Sequence, residues 1–194
     1  MTPFREPFER FAKVFEEAKQ AIPQDPNAMQ LATVDERGRP TIRTVLMKDF
    51  DTRGFVFYGN HASRKGRHLS AKKAAAVNFY WPALGRQVRI EGLVGTVTDA
   101  EADAYFATRP RLSQLGAWAS LQSQPLESRA VLEARVDELT KTYEGRDVPR
   151  PPHWSGWCLA PDYFEFWKAH PYRLHWRDIY VREGDGWQTS MLYP

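Results

Sequence analysis

One cysteine, Cys158, is all the thiol this 194-residue chain contains, so no intrachain disulfide can brace it. Its apolar setting, Trp157-Cys158-Leu159-Ala160-Pro161, favours a buried structural thiol over a reactive one, and a reducing cytoplasm is the expected location. No run approaches the roughly 18–20 apolar residues of a membrane span, and no apolar signal region opens the chain, so neither membrane insertion nor secretion is expected. A surplus of one charge sign is also missing. Twenty-seven Lys and Arg face 24 Asp and Glu, a net charge of +3, which excludes nucleic-acid binding by bulk charge and confines any cationic site to a local cluster. There is no internal repeat and no low-complexity tail. Aromatics, by contrast, make up 13% of the chain with seven Trp, more than a core of this size demands. They point to an aromatic-lined cleft, a large subunit interface, or both.

The length suits a single domain, residues 1–194, with a sizeable core. Phe8, Phe11, Phe15 and Ala18, with Val14, recur at helical spacing, so a helix is predicted over about 7–21, stopped by Pro23 to Pro26. Met29 to Asp35 and Thr41 to Lys48 flank a turn-rich Glu36-Arg37-Gly38-Arg39 and read as a hairpin. Gly54 to Tyr58, Ala74 to Trp81 and Gln87 to Thr98 continue a meander, interrupted by a helix over Ser63 to Lys73. Thr98 with Glu101 is a capping-box pattern opening a short helix, which Pro110 closes. Helices are predicted over about Ser113 to Ser120 and Ser128 to Tyr143, the latter stopped by Gly145. After the rigid Val148 to Pro152 connector come strands at Tyr163 to Trp167, Arg173 to Arg182 and near Trp187 to Leu192. Many short strands with inserted helices predict a mainly β, antiparallel, Greek-key-like barrel, closed or nearly so.

The stretch Arg43 to Gly66 places cations beside two apolar strands and ends in Ser63-Arg64-Lys65-Gly66 at a predicted helix start. Backbone N–H groups and the helix dipole there add to the side-chain charge, which suits a phosphorylated ligand; the plainer reading is a solvated basic turn. Four separated clusters share this character: Arg43 with Lys48; Ser63, Arg64 and Lys65; Tyr105, Arg109 and Ser113; and Arg173, His175 and Arg177 behind Trp167. Arg offers a planar fork and Lys a point charge, so converging clusters of both could serve two phosphates. Gln87 could offer an amide to a heteroaromatic edge, or could be structural.

The segments DPNAMQLATVDERGRP, RTVLMK, GFVFY, SRKG, RQVRIEG, YFATRPRLSQLGAWASLQS and EFWKAHPYRLHWR stand in the order found in pyridoxine (pyridoxamine) 5′-phosphate oxidases, and from Asp25 onward the chain resembles that family. The resemblance implies an FMN-binding split barrel acting as a homodimer, with flavin in clefts between subunits and C-terminal strands completing barrel and interface. It implies that Arg43, Thr44, Val45, Leu46, Met47 and Lys48 border the flavin. Tyr58, Gly59, Ser63, Arg64 and Lys65 would hold the ribityl phosphate side and Gln87 the ring. Gln122, Ser123, Trp167 and Arg177 match further flavin contacts, some reaching from the partner. Lys48, Tyr105, Arg109 and Ser113 would bind the substrate phosphate, Arg173 and His175 the pyridine ring, with Asp25 a lesser catalytic candidate. The implied reaction takes pyridoxine 5′-phosphate or pyridoxamine 5′-phosphate to pyridoxal 5′-phosphate, with O2 reduced to H2O2 and no metal.

The chain also departs from the family pattern. Only Arg5 and Phe8 lie where an Arg-x-x-Tyr lid segment usually stands, so no lid residue carries over. Trp176 replaces the acid of the usual RLHDR, the chain ends Met191-Leu192-Tyr193-Pro194 where Arg-Leu-Ala-Pro is usual, and Gly59 follows Tyr58 where Thr would add a hydroxyl. These changes bear on efficiency and substrate preference before flavin binding. Two other readings stand beside the oxidase: a split-barrel flavoprotein that turns over another substrate or only binds FMN or pyridoxal phosphate, and a barrel stacking nucleic-acid bases on aromatics.

Overall fold

A computed structural model describes residues 6–194. Helix α1 (Glu6–Ala21) forms where the aromatic spacing predicts it, and buries Phe8, Phe11, Val14, Phe15 and Ala18 on one face. Strands β1 (Ala28–Val34) and β2 (Pro40–Leu46) pair in continuous register, from Ala28 opposite Leu46 to Val34 opposite Pro40. The Asp35 carboxylate ties their turn by accepting from the Arg37 and Arg39 backbone N–H groups. Next come β3 (Asp49–Asp51), β4 (Gly54–Asn60), α2 (Arg64–Ala71), β5 (Ala74–Trp81) and β6 (Arg86–Thr96). Helices α3 (Asp99–Ala107), α4 (Arg111–Ala119) and α5 (Arg129–Thr142) lead to β7 (Trp154–Lys168), β8 (Trp176–Glu183) and β9 (Gly186–Met191).

The strands make one nine-stranded sheet in the order β2-β1-β5-β6-β7-β4-β3, with β8 on β7 and β9 on β8. Its two ends, β2 and β3, are consecutive in the chain, so the sheet must curl back on itself; Lys48 N–H donating to the Val56 carbonyl at 2.8 Å ties the seam. The expected antiparallel barrel is therefore the observed one. Helix α1 plugs it. Phe11 is fully buried and lies 4.8 to 5.7 Å, centroid to centroid, from Phe55, Phe50, Phe79 and Phe15. A smaller core of Phe106, Leu115, Val148 and Trp154 joins α3 and α4 to the start of β7. That second core decides where a cleft can open, because it holds a helical wall beside the barrel.

Several expectations need correction. The strand predicted over Tyr163 to Trp167 is the end of a 15-residue β7. Its first half includes Pro161, which the sheet accepts because the proline sits opposite Gly92, at the point where the β6–β7 register shifts. A Cβ on Gly92 would collide with the Ala160 carbonyl, so the bulge needs glycine there. The strand predicted from Arg173 starts only at Trp176, because Pro171–Arg173 is a 3-10 turn with Tyr172 and Arg173 at φ 58° and 62°. Helix α4 begins at Arg111, directly after Pro110, rather than at Ser113. Cys158 is half-buried rather than buried, on the opposite pleat from Trp157 and Leu159, and burial raises its thiol pKa, which keeps it an inert thiol. The capping box is present in both halves, with the Thr98 hydroxyl accepting from Glu101 N–H and Glu101 accepting from Thr98 N–H. Arg5 lies outside the described residues; Phe8 is a core residue against Phe55 and Phe164. Among the described residues no helix is long and apolar enough to cross a membrane.

Candidate active site

A cleft of about 960 Å³ opens between β2, the end of β4, the start of α2 and the α3–α4 wall. It is large enough for more than one drug-sized ligand part. Arg43, Thr44, Val45, Leu46 and Lys48 come to it from β2 and the residue pair after it. Tyr58, Gly59, Ser63, Arg64 and Lys65 come from the β4–α2 junction, and Tyr105, Arg109 and Ser113 from the helical wall. Gln122 and Ser123 complete the rim. Three of the four sequence-distant basic clusters thus meet in one place.

The junction is built for this. Ser63 caps α2: its hydroxyl accepts from Gly66 N–H at 3.3 Å and donates to the Asn60 carbonyl at 2.6 Å. The turn packs so tightly that a Cβ on Gly66 would strike the His61 carbonyl. Capping turns the Lys65 side chain inward, where only 8% of the residue is exposed. Its Nζ donates to the Gln122 Oε1 at 2.8 Å and to the Ser63 hydroxyl at 3.1 Å. A Cβ on Gly59 would lie 2.9 Å from Lys65 Cε and Nζ. The glycine that looked in the sequence like a lost hydroxyl is the space the lysine occupies.

Five cations line the cleft and no carboxylate does. Among the described residues no acid forms an ion pair with Lys65, Arg43, Arg64 or Arg109. Burial, then the nearby Arg43 charge, lowers the Lys65 pKa to about 8. Burial also pulls Arg43 and Arg109 down, Arg43 further through Arg64. A nest of mutually repelling, partly desolvated cations is unstable alone and is relieved by an anion. Arg109 repeats the pattern on the helical wall. Its guanidinium lies 4.8 Å from the Trp154 ring centroid, and its buried Nη1 has no hydrogen-bond partner. Beside it Tyr58 and Tyr105 stack at 4.2 Å, with Tyr58 parallel to Trp154 at 5.4 Å.

Other expected site residues lie elsewhere in this chain. Gln87, Trp167 and Arg177 stand on adjacent strands, Gln87 opposite Trp167 and Trp167 opposite Arg177. The His175 ring is 4.6 Å from the Trp167 ring, and its Nδ1 accepts from His170 N–H at 3.2 Å. Arg173 is exposed on the strained turn before them. None of these five lines the large cleft. Arg177 is engaged by the buried Glu165, at 2.7 and 3.1 Å. Asp25 is exposed in the turn before β1, outside the cleft, its carbonyl accepting from Ala28 N–H. Met47 is a correction: its side chain is buried in the barrel core, because the alternation that points Lys48 outward points Met47 in. Trp154, against which Arg109 packs, was missed in the sequence, where it stood between the proline-rich connector and the next predicted strand.

Comparison with known proteins identifies the family. Residues 15–143 match the family model described as pyridoxamine 5′-phosphate oxidase, and residues 154–194 match that of the pyridoxine 5′-phosphate oxidase C-terminal dimerisation region. A pyridoxine/pyridoxamine 5′-phosphate oxidase of Myxococcus xanthus is 62% identical over 97% of this chain and 92% of its own length. One from Rubrobacter xylanophilus is 54% identical over 97% and 87%. The crystal structure of PhzG from Burkholderia lata 383, in complex with tetrahydrophenazine-1-carboxylic acid, superposes with a TM-score of 0.92 at 34% identity, covering 97% of this chain and 92% of that one. An FMN-binding protein from Nostoc punctiforme shares the fold at TM-score 0.76 and 17% identity. With family models spanning both parts of the chain and relatives this similar over nearly its whole length, the chain belongs to the pyridoxamine 5′-phosphate oxidase family of FMN-dependent oxidases.

Proposed function

We propose that this protein oxidises pyridoxine 5′-phosphate and pyridoxamine 5′-phosphate to pyridoxal 5′-phosphate, with O2 reduced to H2O2 and, from the amine, water consumed and ammonia released. The observation that carries this is the acid-free cleft with cations on two walls, Arg43, Arg64 and Lys65 from the barrel side and Arg109 from the helical wall. One anionic cofactor needs only one such seat. A second, furnished with Tyr105 and Ser113 beside an unpartnered Arg109 nitrogen, suits a second phosphate.

FMN fits the first seat: the orphan charge of Lys65, the capped start of α2 and Arg64 are donors for a phosphate dianion. When bound, FMN supplies the hydride-accepting chemistry and the route of electrons to O2. The chain's own residues bind and orient. Lys48, two residues past the end of β2, would lie between the two ligands and touch both. Tyr105, Arg109 and Ser113 grip the substrate by its remote phosphate, so that binding energy is spent on alignment at the reacting carbon.

Arg173 and His175 act at that carbon, Arg173 by charge and positioning, His175 by orienting the substrate or moving its proton. They and Gln87, Trp167 and Arg177 are on the sheet end that carries β8 and β9, within or beside the matched dimerisation region. In this reading the protein is a homodimer, each chain lending that cluster to the other's cleft, and residues 1–194 act as one domain. Asp25 has no role in the reading.

Mixing the FMN-loaded protein anaerobically with pyridoxine 5′-phosphate should bleach the flavin, and admitting O2 should yield one peroxide per pyridoxal 5′-phosphate. The likeness to PhzG supplies a second reading, an aromatic carboxylic acid on Arg109. Bleaching by a reduced phenazine carboxylic acid and not by the B6 phosphates would replace the first reading with it.

A further inference from the structure

Beneath the cleft lies a buried histidine that the reaction does not use. His68, one helical turn beyond Arg64, is 7% exposed, and its Nδ1 stands 3.2 Å from the Thr33 hydroxyl and 3.4 Å from the Thr41 hydroxyl. Those two hydroxyls hold Arg43. Its Nη1 donates to Thr33 Oγ1 at 2.7 Å and to the Leu31 carbonyl at 3.0 Å, and its Nη2 donates to Thr41 Oγ1.

Counting protons points to one acceptor. Both threonine oxygens accept from Arg43, so their own hydrogens must go elsewhere. Kept within this group, those hydrogens have two routes: Thr41 to Thr33, 3.4 Å away, and Thr33 to His68 Nδ1, or Thr33 to Thr41 and Thr41 to Nδ1; both end on the imidazole nitrogen. His68 is then the acceptor that ends the chain. Both Nη1 protons of Arg43 are spent, leaving one on Nη2 and that on Nε for a ligand. We propose that His68 is a positioning residue for the cofactor phosphate: by accepting through Thr33 and Thr41, it aims the free edge of Arg43 at the anion that Arg64 and Lys65 share. This rests on the FMN reading of the cleft.

The acceptor role requires a neutral ring. The groups facing His68 are Arg64 and Arg67 of its own helix, Arg43 of β2, and Asp35, Glu36 and Arg37 of the β1–β2 turn. Burial first, then Arg64 and Arg43, lower its pKa against the opposing pull of Asp35. A protonated ring would strand one hydroxyl hydrogen and set a positive charge under Arg43.

The test is binding to the apo-protein, read by quenching of flavin fluorescence, with FMN and with riboflavin, which lacks the phosphate. His68→Leu should raise the FMN Kd about tenfold or more, the loss of about one charge-assisted hydrogen bond, and leave the riboflavin Kd unchanged. His68→Asn, whose Oδ1 replaces Nδ1 as acceptor, should restore FMN binding. Thr41→Val should weaken FMN binding too, and combined with His68→Leu it should cost less than the sum of the two, because both act through Arg43. From pH 7 to 5 the wild-type FMN Kd should rise more steeply than that of His68→Asn, which shares the phosphate's own titration. Wild-type apo-protein that binds no FMN overturns the cofactor reading. A wild type that binds, beside a folded His68→Leu that binds equally well, loses FMN and riboflavin alike, or is not rescued by Asn, overturns the positioning role alone. If His68→Leu fails to fold, Thr41→Val and the pH comparison decide on the same terms.

Discussion

Replacing Lys65 with methionine should make the apo-protein more stable and a worse FMN binder, two effects of opposite sign from one charge. The lysine is 8% exposed with no carboxylate in ion-pair range among the described residues, and burial followed by the Arg43 charge lowers its pKa from 10.5 to about 8. At about 1.4 kcal/mol per unit, holding that cation in the folded apo-protein at neutral pH costs about 3 kcal/mol. Methionine keeps the length and loses the charge, but also forfeits two hydrogen bonds of about 1 kcal/mol each, to Ser63 and Gln122. The net gain is about 1 kcal/mol, or a Tm rise of about 2–4 °C for a chain of this length. FMN binding should weaken about 10- to 100-fold through loss of a charge-assisted bond. The pH dependence checks the cause. The folded pKa is the lower one, so the penalty is full below about pH 8 and vanishes above the unfolded value of 10.5. Between them the unfolded chain holds more protons, and wild-type stability should gain a rising contribution that Lys65→Met lacks. Urea denaturation of both apo-proteins from pH 7 to 10.5, with FMN titrations, measures all of this. Lower apo stability in the variant together with an unchanged FMN Kd would refute the reasoning.

Arg173→Ala should cut turnover by orders of magnitude while flavin content stays near wild type; an unchanged oxidation rate in steady-state peroxide assays would remove it from the reaction. Gly59→Ala should displace the Lys65 ammonium, since the new Cβ would lie 2.9 Å from Nζ, and so raise the FMN Kd with little change in fold by circular dichroism. Glu165→Gln should destabilise by about 3–5 kcal/mol in urea melts, because the buried carboxylate answers both Arg89 and Arg177 and its removal strands them. Burial alone would raise the Glu165 pKa, but the two guanidiniums bring it below the ordinary value, so its contribution is lost as pH falls through that lowered value. Phe11→Ala should cost about 3–5 kcal/mol, the penalty for emptying a fully buried aromatic site.

Local rules were legible in the sequence because they need only neighbours. Helical aromatic spacing located α1, the Thr98–Glu101 pair located the start of α3, and alternation located β6 with Val88 and Ile90 inward. The basic clusters were visible as well, and the ordered segments around them identified the family. What failed were places where distant chain overrides local signal. The first half of β7 went unread, its Pro161 being accommodated by a bulge at Gly92 on a neighbouring strand, and Arg173 to His175 read as strand until Pro171 and two left-handed residues turn them.

The sequence by itself determined which side chains carry positive charge, hydroxyls and rings, and that their ordered segments are those of a flavin oxidase. Only the tertiary structure decided that Arg43, Lys65 and Arg109 share one acid-free cleft, that Met47 is core while Lys48 is not, and that Gly59 is room for a lysine. The reason is physical. Charge and patterning are properties of residues and their near neighbours, whereas desolvation and hydrogen-bond satisfaction depend on what the curled sheet brings alongside from far away in the chain.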